Sequence, residues 1–258
     1  MRKIKRLMKS LAWKVFPWTN FNFKMASGVR LCLQNRADFP ILQEIFIERS
    51  YEPFLKLLPE IKTWVDLGCN CGLFSLYLED RARTEGWKGL RQAVLIDANS
   101  YALKTVARSL AANKLEENFQ LINGLVGKRN QTMSYFESKS TYKSSIFQLA
   151  SKEKSRQIKS VDLEEQTRFL NSIDLIKVDI EGAEIFLAED WMAWLKSSRY
   201  VLVEWHEPHM TGRRLEQMFT EAGFTLILSL PPAYLASDPR AVLDLPIGSG
   251  LWKTNSSD

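Results

Sequence analysis

From residue 60 onward, short apolar runs alternate with segments whose apolar residues recur every three to four positions. The first pattern marks a buried strand and the second a helix lying against it. Thr63–Leu67 reads as a strand, Gly68–Gly72 as a turn and Leu73–Arg83 as a helix. Ala93–Ile96 is a second strand ending at Asp97, followed by a helix over Tyr101–Asn113 and a third strand over Phe119–Ile122. Ile173–Val178 is a fourth strand and Ala183–Lys196 its helix. Tyr200–Val203 opens a fifth strand, Arg213–Ala222 is a helix, Phe224–Leu230 a sixth strand, and a last strand falls near Gly250–Lys253. Strands alternating with helices predict a mostly parallel sheet covered on both faces. Two stretches escape the pattern: Glu137–Ser160, rich in Ser and Lys and expected as a loop or lid, and the Pro- and Gly-rich tail after Pro231-Pro232.

Residues 1–16 carry a different signal. Ile4, Leu7, Met8, Leu11, Ala12, Val15 and Phe16 fall on one stripe of a helix, with basic residues mostly opposite. A basic amphipathic helix suits an anionic membrane surface or a partner, and packing on its own domain is the alternative. Nine Lys and Arg and no acid precede Asp38, leaving 26 basic against 30 acidic residues in the rest. The formal charge of +5 therefore describes an arm and not the body, and no nucleic-acid partner is expected. The division that follows is an arm at 1–25, a lead-in at 26–60 and the main domain at 61–258. No apolar run approaches the ~18–20 residues of a membrane span. Three cysteines, two of them one residue apart, make no disulfide framework and point to a reducing, cytoplasmic location, peripheral to the membrane if the arm binds it.

Ligands of an open parallel sheet bind beyond the carboxyl ends of its strands. The first strand runs into Asp66-x-Gly68-x-Asn70-x-Gly72, with Cys69 and Cys71 between. A glycine turn lets backbone approach a ligand closely, although packing alone also selects glycine there. Asp97 stands where an acid accepts ribose hydroxyls, with a helix cap as the alternative, which Asn99 or Ser100 serve equally well. The fourth strand ends in Lys177-Val-Asp179-Ile-Glu181-Gly182-Ala-Glu184, and alternation puts Lys177, Asp179 and Glu181 on one side. The fifth runs into Glu204-Trp-His206, two polar residues on one face. Histidine suits proton transfer near neutral pH, so His206 and Asp179 are candidate bases, Glu204 an orienting group, and Lys177 and Glu181 further candidate catalytic residues. Lys177 neutralising Asp179 is the plain structural alternative. Asp179, Glu204 and His206 also suit a divalent metal, but the order of residues does not demand one, and no metal ligand is assigned. Trp191, Trp194, Trp205 and Tyr234 stack on sugar faces or belong to the core.

The runs Val65–Ser75, Ile173–Glu184 and Val203-Glu204 resemble those of the FkbM-family S-adenosylmethionine-dependent methyltransferases, and the Lys-x-Asp-x-Glu-Gly-x-Glu signature is intact at Lys177–Glu184. The segment from Ser27 to Pro53 is similar to the family's approach to the sheet. The resemblance implies a Rossmann-like class I methyltransferase fold with a seven-stranded, mostly parallel sheet, and O-methylation of a hydroxyl on a sugar, glycan, glycolipid or similar small molecule. By that match Asp66, Gly68, Asn70 and Gly72 cradle the methionine part of S-adenosylmethionine, and Asp97 takes the ribose. Cys69 stands where alanine is common, and Ala98, Asn123, Gly124 and Asp179 complete the expected cofactor set, with Tyr51 and Glu52 closing over it. Two competing classes are a Rossmann-type nucleotide-binding oxidoreductase, which the absence of G-x-G-x-x-G spacing disfavours, and a non-catalytic, membrane-attached S-adenosylmethionine-binding protein.

Overall fold

The computed structural model describes residues 20–34, 36, 38–136, 155–207, 210–233 and 247–255. The amphipathic stripe at 1–16, most of the expected lid, His209 and Tyr234 lie outside the described residues. Strands β1 (Phe21–Lys24) and β2 (Arg30–Leu33) pair as an antiparallel hairpin that spans the division expected at residue 25. Helix α1 (Asp38–Leu42) runs directly into a π-helical segment at Gln43–Glu48, and α2 (Glu52–Leu55) follows.

The alternating part folds as β3 (Thr63–Leu67), α3 (Leu73–Glu85), β4 (Gln92–Asp97), α4 (Ser100–Asn113) and β5 (Phe119–Asn123). After β6 (Thr132–Phe136), β7 (Ser155–Lys159) and α5 (Leu163–Thr167) come β8 (Ile173–Val178), α6 (Glu184–Asp190), α7 (Met192–Leu195), β9 (Ser198–His206), α8 (Gly212–Glu221), β10 (Phe224–Ala233) and β11 (Ile247–Thr254). Seven strands form one sheet in the order β10-β11-β9-β8-β3-β4-β5. The five from β9 to β5 are parallel, and β11 runs antiparallel to both its neighbours. The strand order reverses between β3 and β8, the place where such a sheet opens a crevice.

Two differences from the sequence reading have physical causes. The polar stretch expected as a loop or lid up to Ser160 ends in β7, which pairs with β6 in a hairpin beside the main sheet. Its hydrophilic sequence hides the strand because only Ile158 is apolar enough to mark an inner face. The helix expected over Ala183–Lys196 is broken at Trp191, whose indole N–H donates to the Gly127 carbonyl at 2.9 Å while the Arg129 guanidinium lies over its ring. That tertiary bond displaces Trp191 from helical geometry.

Alternation along the strands divides the core into two layers. Trp64, Leu95, Leu175 and Leu202 pack on one face with Phe74, Val106 and the lead-in; Val65, Ile96, Val178 and Val203 pack on the other with Leu187, Trp191 and Leu215. Trp191, Trp194 and Trp205 are all buried in the second layer, so they are core and not sugar platforms. The same alternation turns Asp66, Lys177, Glu204 and His206 toward the lead-in face. Leu175 is central and fully buried, so Leu175→Ala should cost about 2–5 kcal/mol, read as a lowered urea midpoint at unchanged slope.

Candidate active site

The turn after β3 is built from left-handed backbone, with φ of +71° at Gly68, +49° at Asn70 and +75° at Gly72. A Cβ on Gly68 would lie 1.7 Å from the Asp179 carbonyl oxygen, so only glycine fits. The Asp179 N–H donates to the Leu67 carbonyl at 3.0 Å, which fastens the ends of β3 and β8 together. Asp97, ending β4, accepts the Asn70 N–H on Oδ2 and the Asn99 N–H on Oδ1, each at 2.7 Å. The Asn99 side chain caps α4, which relieves Asp97 of that task. Burial pushes Asp97 up to about 6, against the two N–H bonds that favour its charge.

An open cleft lies over these strand ends, bordered by Gly68, Asn70, Asp97, Gly124, Asp179 and Glu181. An adjoining groove carries Asn123 beside Ala98 and Gly124, with Arg156 and Lys159 from β7. Expected cofactor residues thus converge there, but Asp66, Cys69, Gly72, Tyr51 and Glu52 do not line it. Asp66 is fully buried and accepts the Ser75 hydroxyl at 2.7 Å, with Lys177 Nζ at 3.5 Å; its charge belongs to the interior. Glu52 accepts the Tyr77 hydroxyl at 2.6 Å and pairs with Lys56 instead of closing over the cleft. Cys69 and Cys71 are buried thiols, pushed up by burial.

Lys177 links the two halves. Its ammonium donates to the Gly68 carbonyl and to Asp179 Oδ2, both at 3.2 Å. Burial works against its charge, but Asp179, Asp66 and Glu204 outweigh that cost and hold the ammonium above its ordinary value. Around it stands a cluster of acids. Burial, with Asp179 and Glu44 near, pushes Glu204 up to about 8. Glu44 is pushed up to about 7 by burial and then by Asp179. Tyr51 is buried beside Phe74 and near Glu204, and burial keeps its phenol protonated.

His206 Nδ1 bonds Glu184 Oε1 at 2.9 Å, while Nε2 faces Glu181 at 3.5 Å and Asp179 at 3.9 Å. Burial opposes its charge, yet Glu184 and Glu181 prevail and raise it well above the usual histidine value. Nδ1 is thus taken by Glu184, and Nε2 is the ring nitrogen that faces Asp179 and Glu181. Sequence reasoning missed Glu44, carried in by the π-helical segment; π distortions are frequent at functional sites, but no pattern announces one. Glu184, the last acid of the signature, is buried and accepts the Ile180 and Gly182 N–H groups, with the imidazole on the same oxygen.

A seven-stranded sheet in this order, with a glycine turn after β3 and an acid at the end of β4, defines the Rossmann-like methyltransferase class of fold. The M. jannaschii tRNA m1G37 methyltransferase shares it, with 14% identity and a TM-score of 0.51 over 99% of this chain and 69% of that one. A Streptococcus pneumoniae protein provisionally named a tRNA (m1A22) methyltransferase is similar at 10% identity and TM-score 0.48, over 81% and 71% of the two chains. At such identities the likeness concerns the fold alone. No curated protein matches the chain in sequence. The family model described as methyltransferase FkbM domain matches residues 68–226, more than half of the chain, and the protein belongs to that family.

The turn makes a direct prediction. Gly68→Ala should lose several kcal/mol, whereas Gly28→Ala, at φ +90° with open space around it, should lose only the ~1–2 kcal/mol of left-handed backbone. Urea unfolding of the two variants side by side tests the difference.

Proposed function

We propose that this methyltransferase carries a methyl group from S-adenosylmethionine to a hydroxyl oxygen of a small molecule or glycan. The observation that carries the reading is the meeting, in one cleft, of the Gly68–Asp97 wall with Asp179 and Glu181 beyond the end of β8. The residues fit the cofactor: Gly68 tolerates no side chain, so backbone and not bulk faces the cleft, and Asp97 is ionised at neutral pH. A carboxylate has about four acceptor sites; two on Asp97 are spent on backbone, which leaves capacity for two ribose hydroxyls. Gly68, Asn70, Ala98, Asn123 and Gly124 would complete the cradle. S-adenosylmethionine supplies the methyl group as a sulfonium substituent, leaving a neutral thioether after transfer.

An alcohol becomes an adequate nucleophile only as its proton leaves, so a base within hydrogen-bond reach helps. Glu204 is assigned that role: it lies near Asp179 and Tyr51 toward the end of β9, and it becomes a base as pH rises through about 8. Asp179, anchored by Lys177, positions the acceptor. The acceptor end carries Glu44, Asp179, Glu181 and Glu204, which favours a neutral hydroxylated molecule over a polyphosphate chain. The RNA substrates in the names of the structural neighbours belong to those proteins. A cytoplasmic site of action, at a membrane surface through residues 1–16, is consistent with three free cysteines and a basic arm.

Calorimetric titration with S-adenosylhomocysteine tests the cofactor. Saturable binding is expected, lost in Asp97→Ala. Below pH 6 protonation of Asp97 should weaken binding by about tenfold per pH unit, with no change above pH 7. Preference for a nicotinamide dinucleotide would overturn the reading. With an acceptor in hand, Glu204→Gln should lower turnover by about 10²-fold or more while homocysteine binding persists.

A further inference from the structure

The ends of β8 and β9 hold an arrangement that methyl transfer alone does not require. Asp179 divides its carboxylate, Oδ2 lying 3.2 Å from Lys177 Nζ and Oδ1 3.9 Å from His206 Nε2. Glu181 Oε2 is 3.5 Å from the same nitrogen. Behind the ring, Nδ1 is held by Glu184 at 2.9 Å. His206 is 6% exposed, and among the described residues its Nε2 makes no hydrogen bond. With the hydrogen fixed on Nδ1, the lone pair of Nε2 confronts two carboxylate oxygens. Such facing lone pairs repel unless a cation stands between them, either a proton or a metal ion.

The distances are long for the proton, since a charge-assisted N–H···O bond spans about 2.7–2.9 Å. They suit a metal better. Donors about 2.1 Å from an octahedral ion stand about 3.0 Å apart when adjacent and about 4.2 Å apart when opposite. The donor atoms of Asp179, Glu181 and His206 all lie within 4.8 Å of one another. Charge points the same way: Asp66, Asp179, Glu204 and Glu44 crowd around the single ammonium of Lys177.

We infer that Asp179, Glu181 and His206 bind a divalent cation of the Mg²⁺ or Mn²⁺ kind, with Glu184 orienting the imidazole from behind. A carboxylate on the far nitrogen of a metal-bound histidine is the usual supporting contact. Two oxygen donors and one imidazole select such ions over those that seek thiolates. The set differs from the one the sequence suggested, because Glu181 and not Glu204 has a carboxylate oxygen grouped with the donor atoms of Asp179 and His206. The cation's purpose rests on the methyl-transfer reading: with positions left open it would bind the acceptor hydroxyl and ease loss of its proton to Glu204.

The test is titration of the metal-stripped full chain with Mn²⁺, free ion being followed by electron paramagnetic resonance. One saturable site is expected, weakened about tenfold or more by His206→Ala and by Glu181→Gln, and about 10–100-fold by Glu184→Ala. Glu181 is 48% exposed, so Glu181→Gln leaves the fold intact and keeps the test sharp. Asp97→Ala should retain Mn²⁺ while losing S-adenosylhomocysteine. A chain that binds S-adenosylhomocysteine but shows no saturable Mn²⁺ site, or whose site is indifferent to both His206→Ala and Glu181→Gln, overturns the inference and leaves the cofactor reading standing. A Mn²⁺ site that responds to both variants in a chain blind to S-adenosylhomocysteine supports the cation site and overturns the cofactor reading instead.

Discussion

The buried ammonium of Lys177 is the tie on which the site depends. It sits on β8 at the point where the strand order reverses and reaches three segments at once: Asp66 on β3, the Gly68 carbonyl in the turn, and Asp179 beyond its own strand. A charge taken out of water is tolerated only where partners surround it. Here those partners come from different parts of the chain, so all are satisfied only when β3 and β8 lie in register, Asp66 beside Lys177. Removing one member of such a group typically costs about 3–5 kcal/mol, because the others remain buried with their charges uncompensated. The ion cluster therefore fixes the geometry of the turn as well as the charge of the cleft.

Two aspartates that look alike in the sequence acquire opposite tasks from this arrangement. Asp66 and Asp97 stand on neighbouring strands, Asp66 within β3 and Asp97 at the end of β4. Asp66 points into the lead-in layer, where Ser75 links it to the Trp64 indole and Lys177 balances it. Asp97 stands at the open edge and holds the backbone of the turn and of the α4 cap. The difference lies in depth along the strand: one residue remains within the pleat, and the other has passed its end. A family motif read by type assigns both to the ligand; geometry divides them between foundation and wall.

What was legible in the sequence follows the range of the interactions that made it. β3 and β8 were readable to the residue because each is a short, mostly apolar run that is buried along nearly its whole length. The glycine turn was readable because left-handed backbone restricts residue type. Asp179, Glu204 and His206 were recoverable as neighbours because parallel strands end together. Glu44 was not, since it belongs to a π-helical segment whose shape depends on packing against the sheet. The partnership of Glu184 with His206 was hidden for a related reason, as it links residues 22 apart across two elements. Trp191 broke its helix through a carbonyl 64 residues away, a distance at which periodicity carries no information.

The cleft is also divided by charge, and the division constrains what can enter. The wall made by the turn, Ala98 and Gly124 offers backbone and small side chains, continued by Arg156 and Lys159 from the β7 hairpin. The opposite end carries Asp179 and Glu181, with Glu44 and Glu204 near Asp179 and both displaced upward by burial and then by its charge. A phosphate-bearing acceptor would add to that charge at the reacting end, and a neutral polyol would not. A bound cation would relieve the same repulsion while leaving the oxygen of a hydroxyl as the natural group to approach it. The proposed acceptor class and the proposed cation thus answer one electrostatic problem, the excess of carboxylates that the Lys177–Glu184 motif and β9 bring to the mouth of the sheet.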